Sequence, residues 1–372
     1  MSEGIRRTCR EFAETLVRLG IATQEQADAG LAEAGRFGFD VDEKFEDADQ
    51  LTFLVGECGL GFTMPEKMSG GVDEGYESLL RDAAACSGGS VVVDDIELVE
   101  DEDGEEYLHV RRNGRSLWYH TEHDKDFRRY MDWMAASDAI GDLVPGGDDP
   151  RNFHQLDGDP LDAWWLLLTP EQAAGLKEFG LPMPNSLGNV VRNGLPTAEP
   201  GTPAWYLEDD RLHASEESRR FLDAWLASMD TALDRWRTAH LPDGFPVDFS
   251  LESLAALERL VWERFEGPDA LKTAAGDEFA EGAIRYIGET ALRLWPCRWT
   301  YQHSDDEADL FANDPAILSH APSGFATEVF PSVALRLVVE DREPGTLAER
   351  LEDIPDSVDD YRRALRARTA GR

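Results

Sequence analysis

The 372-residue sequence predicts an α+β fold, in which an antiparallel meander with packed helices is followed by a helix-rich α+β second domain. Two patterns lead to this prediction: β-forming runs joined by tight turns near residue 100, and apolar residues at helical spacing through much of the second half. Residues 181–204 contain five prolines, which are typical of a connecting segment. We therefore expect one domain over residues 1–195 and another over residues 205–372.

The strongest local pattern predicts the meander. Strands are expected over residues 91–99, 105–112 and 115–120, and an acidic turn joins the first two. Asn113-Gly114 joins the second and third strands, because both central positions of a tight hairpin turn need positive φ and these residues adopt it readily. A helix is expected to follow over residues 124–137.

Shorter patterns predict the other elements of the first domain. They indicate a helical hairpin over residues 5–35, a strand with a Gly-rich bend over 51–65, and a loop over 141–160. A continuous apolar run at 163–168 predicts a buried strand. Thr169 followed by Pro170 predicts a helix start, since Thr is a favoured N-cap and Pro a favoured first helical residue.

Apolar periodicity predicts a largely helical second domain. One long helix is expected from a cap at Ser215 to Trp236, because apolar residues recur along it every three or four positions. The remaining expected elements are helices over 251–265 and 277–294, strands over 299–301 and 332–340, and short helices over 345–353 and 356–368.

The charge balance restricts the class of partner. There are 75 acidic and 36 basic residues, for a formal net charge of −39. Nucleic acid and anionic membrane surfaces would be repelled, so we expect neither as a partner and expect a basic protein instead. The N-terminal residues lack the apolar stretch of a signal peptide, which predicts a cytoplasmic protein.

The acidic residues concentrate on the predicted meander. Nine of the thirteen residues from 94 to 106 are acidic, and we call this segment the acidic ridge. Alternation along a strand places Trp118 and Tyr119 on opposite faces, so one of them is expected to be exposed beside the ridge. An exposed aromatic next to carboxylates is typical of a protein-binding surface. The predicted binding residues are Asp94, Asp95, Glu97, Asp101, Asp103, Trp118 and Tyr119. The alternative is a solvated edge that prevents unwanted strand pairing.

A second hypothesis is a metal-assisted enzyme. His120, Glu122 and His123 stand close together at a strand end, and His154 is a further candidate ligand. Phosphate-binding, zinc-protease and serine-hydrolase motifs are absent from the sequence, so no cofactor is predicted and binding is favoured over catalysis. A third hypothesis is a housekeeping protein whose acidity has no role in function.

Two segments resemble known proteins. The run Leu176-Lys177-Glu178-Phe179-Gly180-Leu181-Pro182, with Pro184, Leu187, Asn193 and Gly194, resembles the leading motif of the SMI1/KNR4-like immunity superfamily, which neutralises secreted bacterial toxins. Residues 282–300 are similar to modules in uncharacterised proteins of high-GC bacteria. Neither resemblance implies a catalytic residue. Together they imply a family without a known enzymatic activity, in which toxin immunity is one role of such folds. Combined with the acidic charge, they lead to the first hypothesis: a protein-binding module that acts as an immunity-type inhibitor of a basic toxin.

Overall fold

The computed structural model describes residues 7–44, 49–65, 67, 71–123, 130–156, 163–189, 194–268, 270, 277–305 and 312–370. These residues confirm the α+β class, with helices and antiparallel sheets in both halves. The chain divides into two compact units, residues 1–193 and 194–372. None of the helices in the described ranges is long and apolar enough to cross a membrane.

Unit 1 combines six helices and seven strands among its described residues. The helices are α1 Cys9–Arg18, α2 Gln24–Arg36, α3 Asp49–Glu57, α4 Val72–Ala85, α5 Trp133–Gly141 and α6 Pro170–Phe179. The strands are β1 Gly61–Thr63, β2 Val93–Glu100, β3 Glu106–Arg112, β4 Arg115–Thr121, β5 Asn152–Leu156, β6 Trp164–Leu168 and β7 Ser186–Leu187. They form two antiparallel sheets with the orders β2-β3-β4 and β1-β6-β5-β7.

The predicted meander is confirmed as the sheet β2-β3-β4. Asn113 and Gly114 both have positive φ, as the tight turn between β3 and β4 requires. Leu108 lies opposite Tyr119 across these two strands. The register of β2 on β3 shifts between Asp94 and Glu97, which produces a bulge in the first strand.

Three predicted elements of unit 1 are wrong. Residues 51–65 form α3 followed by β1, and Leu51, Leu54 and Val55 are buried at helical spacing. The prediction of a strand failed because so short an apolar run does not distinguish a helix from a strand. The expected loop over 141–160 contains β5, which pairs with β6 and buries Phe153. Of the expected helix over 124–137, residues 133–137 belong to α5, residues 130–132 are not helical, and residues 124–129 lie outside the described residues.

The other expected elements of unit 1 are confirmed. The N-terminal hairpin is α1 followed by α2, each with a capping box at its start. The buried strand is β6, whose Trp165 is fully buried. Thr169 caps α6, and Pro170 is its first residue.

Unit 2 is mainly helical. Its helices include α7 Pro203–His213, α8 Glu216–Ala227, α9 Met229–His240, α10 Leu251–Arg264, α11 Glu278–Leu294, α12 Pro331–Asp341 and α13 Thr346–Ala370. Its strands are β8 Cys297–Thr300, β9 Ala316–Ser319 and β10 Glu328–Val329, in the antiparallel order β10-β9-β8. The predicted helices over 251–265 and 277–294 are confirmed as α10 and α11.

The helix boundaries of unit 2 differ from the prediction at three places. The expected long helix is divided into α8 and α9 at Ser228. The hydroxyl of Ser228 donates a hydrogen bond to the backbone carbonyl of Trp225, three residues earlier. Residues 332–340 form α12 instead of a strand, since Pro331 starts the helix and the buried apolar residues recur at helical spacing. The two C-terminal helices are one helix, α13, which contains Pro355.

A buried carboxylate connects α10 to the start of α13. Glu258 is only 1% exposed. Its Oε2 accepts the Gly345 N–H at 2.8 Å, and its Oε1 accepts the Leu347 N–H at 2.7 Å. Both groups belong to the beginning of a helix, where backbone N–H groups have no partner within the helix. Glu258 therefore acts as a remote cap for α13.

Candidate binding surface on the meander

The strand part of the acidic ridge lies against basic side chains of the sheet itself. Asp94 accepts two hydrogen bonds from Arg111, at 2.6 Å from Nε and 3.0 Å from Nη2, and these lower the pKa of Asp94. Asp95 lies 3.5 Å from the same guanidinium. Glu97 lies 3.5 Å from Nδ1 of the buried His109. The predicted binding residues Asp94, Asp95 and Glu97 therefore have basic groups of the sheet itself beside them.

The turn part of the ridge depends on Asp101, which is almost fully buried. Its Oδ1 accepts the N–H groups of Asp103 and Glu105, at 2.9 and 3.0 Å. This is the local side-chain-to-backbone bonding that Asp provides in turns. Asp101 is thus a structural residue of the turn, whereas Asp103 lies exposed at its tip.

The prediction of an exposed aromatic beside the ridge is wrong. Trp118 is 1% exposed and Tyr119 is 8% exposed, although they lie on opposite faces of β4. The Trp118 ring packs on His109 with a centroid separation of 4.5 Å. The Tyr119 hydroxyl donates to Asp142 at 2.7 Å. Alternation predicts opposite faces correctly, but both faces of the strand are covered here.

The structure instead brings four glutamates together at the turn end of the meander. They line a concave site with a volume of about 470 Å³. Its lining residues are Glu100, Gly104, Glu105, Glu106, His120, Thr121, Glu122 and His123. We call it the acidic concavity. None of these described lining residues is Lys or Arg. Glu100 and Glu106 are directly opposite each other across β2 and β3, an arrangement of like charges that destabilises a sheet.

The two histidines of the concavity have separate glutamate partners. His120 Nε2 lies 3.0 Å from Glu105 Oε2. His123 Nδ1 lies 2.8 Å from Glu106 Oε2, and its Nε2 lies 3.2 Å from the hydroxyl of Tyr76. Burial lowers the pKa of His123, which favours the neutral form of the ring.

Three residues of the metal hypothesis, His120, Glu122 and His123, line the acidic concavity, but they do not form a set of metal ligands. The side chain of Glu122 is exposed, while the buried side chain of His123 is directed to Tyr76 and Glu106. His154 lies on β5, in the other sheet of unit 1. In the described part of the chain, no group of three or more His, Cys, Asp or Glu side chains is arranged to hold a metal ion.

Comparisons with protein-family models, curated proteins and solved structures found no match. In the structure, residues of the immunity-like motif have local packing roles: Leu176 and Leu181 are buried, and Gly180 ends α6 with a φ of 113°. The resemblance to the immunity superfamily and to proteins of high-GC bacteria stays a prediction.

Sequence reasoning located the ridge but not the part of it that forms a concave site. Glu100, Glu105 and Glu106 flank the acidic turn, and a hairpin brings such flanking residues together. Counting outward from the turn pairs Asp95 with Arg111, so the observed pairing of Asp94 with Arg111 depends on the bulge in β2 and does not follow from the turn alone. Glu122 joins them only because β4 returns alongside β3.

Proposed function

We propose that the protein acts by binding a basic protein, as an immunity-type inhibitor of a basic toxin would, and that the acidic concavity receives a cationic side chain of that partner. The observation that carries the proposal is the lining of the concavity, with four glutamates and neither Lys nor Arg among its described residues. This differs from the strand part of the ridge, where Arg111 already neutralises Asp94.

Local repulsion supports a cationic ligand at this place. Glu100 and Glu106 face each other across the strands, and Glu105 adjoins them at the end of the turn. An arriving guanidinium or ammonium group would relieve this repulsion and form charge-assisted hydrogen bonds. An anionic or purely apolar ligand would gain neither.

The overall charge supports fast and selective association. A net charge of −39 attracts cationic partners over distances of roughly a Debye length, about 8 Å at physiological salt. Such complementary charge mainly raises the association rate and excludes like-charged partners. The concavity then supplies the place where the encounter complex becomes specific.

A pair of double variants tests the proposal. Glu100→Lys with Glu122→Lys alters two exposed carboxylates of the concavity. Glu25→Lys with Asp28→Lys alters two exposed carboxylates on α2 and changes the net charge by the same four units. Fluorescence anisotropy with labelled hexa-arginine measures binding, and hexa-glutamine is the uncharged probe.

Comparison of the two variants distinguishes binding at the concavity from attraction by the net charge alone. We expect the concavity variant to weaken hexa-arginine binding by about tenfold relative to the α2 variant, and to flatten its salt dependence. Equal weakening in both variants would show that the peptide responds only to net charge. That outcome would favour the hypothesis of a housekeeping protein with a non-functional acidic surface.

A further inference from the structure

A groove in unit 2 has the size and composition of a small-molecule site. Its volume is about 600 Å³, within the range of about 300–1,000 Å³ that is typical of ligand pockets. Phe221, Trp225, Ile284 and Pro315 provide apolar walls. The groove lies between α8, α11 and the start of α12, and is separate from the acidic concavity of unit 1.

The one guanidinium that lines the groove is already fully engaged. Arg285 is 5% exposed, and its Nε and Nη2 donate to Glu281 Oε1 at 3.1 and 3.0 Å. Its Nη1 donates to the Trp225 carbonyl at 3.0 Å, and its Cζ lies 3.5 Å from the centre of the Trp225 ring. Arg285 therefore offers little to an anionic ligand.

Two of the three carboxylates that line the groove are also engaged. Glu281 forms the ion pair with Arg285. Asp277 caps α11 by accepting the N–H groups of Phe279 and Ala280, and lies 3.1 Å from Arg264. These two acidic groups have partners that balance their charge.

Asp314 is different, because it has no ion pair with a Lys, Arg or His among the described residues. It is half-buried, and the hydroxyl of Ser332 donates a hydrogen bond to its Oδ2. Burial raises the pKa of Asp314, which reflects the cost of an uncompensated carboxylate beside apolar walls. A cation delivered into the groove would remove that cost.

We propose that this groove binds a small organic cation, with its ammonium group at Asp314 and its aromatic or aliphatic body against Phe221 and Trp225. The body gains from burial of apolar surface against these side chains. Because the donors of Arg285 are already hydrogen-bonded, binding of carboxylates and phosphates in the groove is disfavoured. A metal ion would gain nothing from the apolar walls.

The test uses wild-type protein and three matched probes in isothermal titration calorimetry. These are 4-phenylbutylamine, the neutral isostere 4-phenylbutanol, and methylamine, which has the charge without the apolar body. We expect the arylalkylamine to bind at least tenfold more tightly than either of the others. Equal affinity for the alcohol, or no measurable binding of the arylalkylamine, would overturn the proposal.

Two pairs of variants locate the site. Asp314→Asn keeps the shape of the side chain and an acceptor for Ser332, and is expected to weaken arylalkylamine binding at least tenfold. Asp243→Asn, at an exposed turn, is expected to leave it unchanged. Ala224→Phe should fill the groove and abolish binding, whereas Ala227→Phe, exposed on the same helix, should not.

A further variant distinguishes binding of the amine at the groove from binding at the acidic concavity. The double variant Glu100→Lys with Glu122→Lys should bind 4-phenylbutylamine as wild type does. If that variant lost the amine while Asp314→Asn kept it, the cation would bind to the concavity and the groove proposal would be wrong. Thermal unfolding of each variant verifies that it is folded.

Discussion

Glu258 offers the sharpest test of how unit 2 is stabilised. In Glu258→Ala, the backbone N–H groups of Gly345 and Leu347 lose the carboxylate that accepts both of them. Hydrogen bonds to a charged group contribute about 1.5–3 kcal/mol each. The position is 1% exposed, so water replaces them poorly. We expect a loss of about 3–5 kcal/mol in the free energy of unfolding.

Glu258→Gln should be milder than Glu258→Ala. The amide keeps one acceptor oxygen but places an NH₂ group against the second backbone N–H, so about half of the loss is expected. The matched control is Glu263→Ala on the same helix, where the side chain is exposed. That substitution should change the free energy of unfolding by less than about 0.5 kcal/mol.

Guanidinium denaturation of the full chain, followed by far-UV circular dichroism and tryptophan fluorescence, measures these differences. The two units need not unfold together, so the transition that carries the unit 2 signal is the one to compare. If Glu258→Ala destabilised the protein no more than Glu263→Ala does, the remote cap of α13 would be refuted.

Three further predictions follow from buried contacts. Gly288→Ala should destabilise the protein by about 1–3 kcal/mol, because a Cβ at this position of α11 would overlap the indole ring of Trp299. Tyr119→Phe should cost about 1–2 kcal/mol, since the buried hydroxyl donates to Asp142 at 2.7 Å. His320 should make stability fall in acid: burial lowers its folded-state pKa from 6.5 to about 4, so below pH 6.5 the unfolded chain takes up a proton that the folded chain refuses. Denaturation at pH 7 and pH 5 should show wild type losing about 2 kcal/mol more than His320→Gln.

Each of these predictions has a matched control or a contrary outcome. Gly35→Ala, at an open position of α2, should be neutral or stabilising, unlike Gly288→Ala. Tyr301→Phe removes only a long hydrogen bond of 3.4 Å at the surface and should cost less than Tyr119→Phe. If wild type and His320→Gln lost the same stability between pH 7 and pH 5, His320 would not be held neutral in the folded chain.

The meander was predictable because its determinants are local. Asn113-Gly114 specifies a tight turn by its own φ preferences, and the strands on either side follow from alternation. The helix over 331–341 was not predicted, since a run rich in Val and Leu satisfies both helix and strand patterns. Pro331 and the helical spacing of the buried residues distinguish the helix; these residues are Ala334, Leu335, Val338 and Val339.

The candidate site was predictable only in part, for the same reason. The concentration of charge is a property of the sequence, but its neutralisation depends on cross-strand partners such as Arg111. Burial of Trp118 depends on what covers each face of the sheet. The groove of unit 2 brings Phe221 together with Asp314, residues that only tertiary structure places near each other.

The most direct test of the acidic concavity is to locate a bound cationic peptide on the full chain. Hexa-arginine that carries a photoreactive benzoylphenylalanine can be crosslinked at physiological salt, and the sites mapped by mass spectrometry. Binding at the concavity predicts crosslinks concentrated at residues 100–106 and 120–123, with loss of these crosslinks in Glu100→Lys with Glu122→Lys. Crosslinks spread evenly over the acidic surface, or unchanged in that variant, would contradict the proposed site.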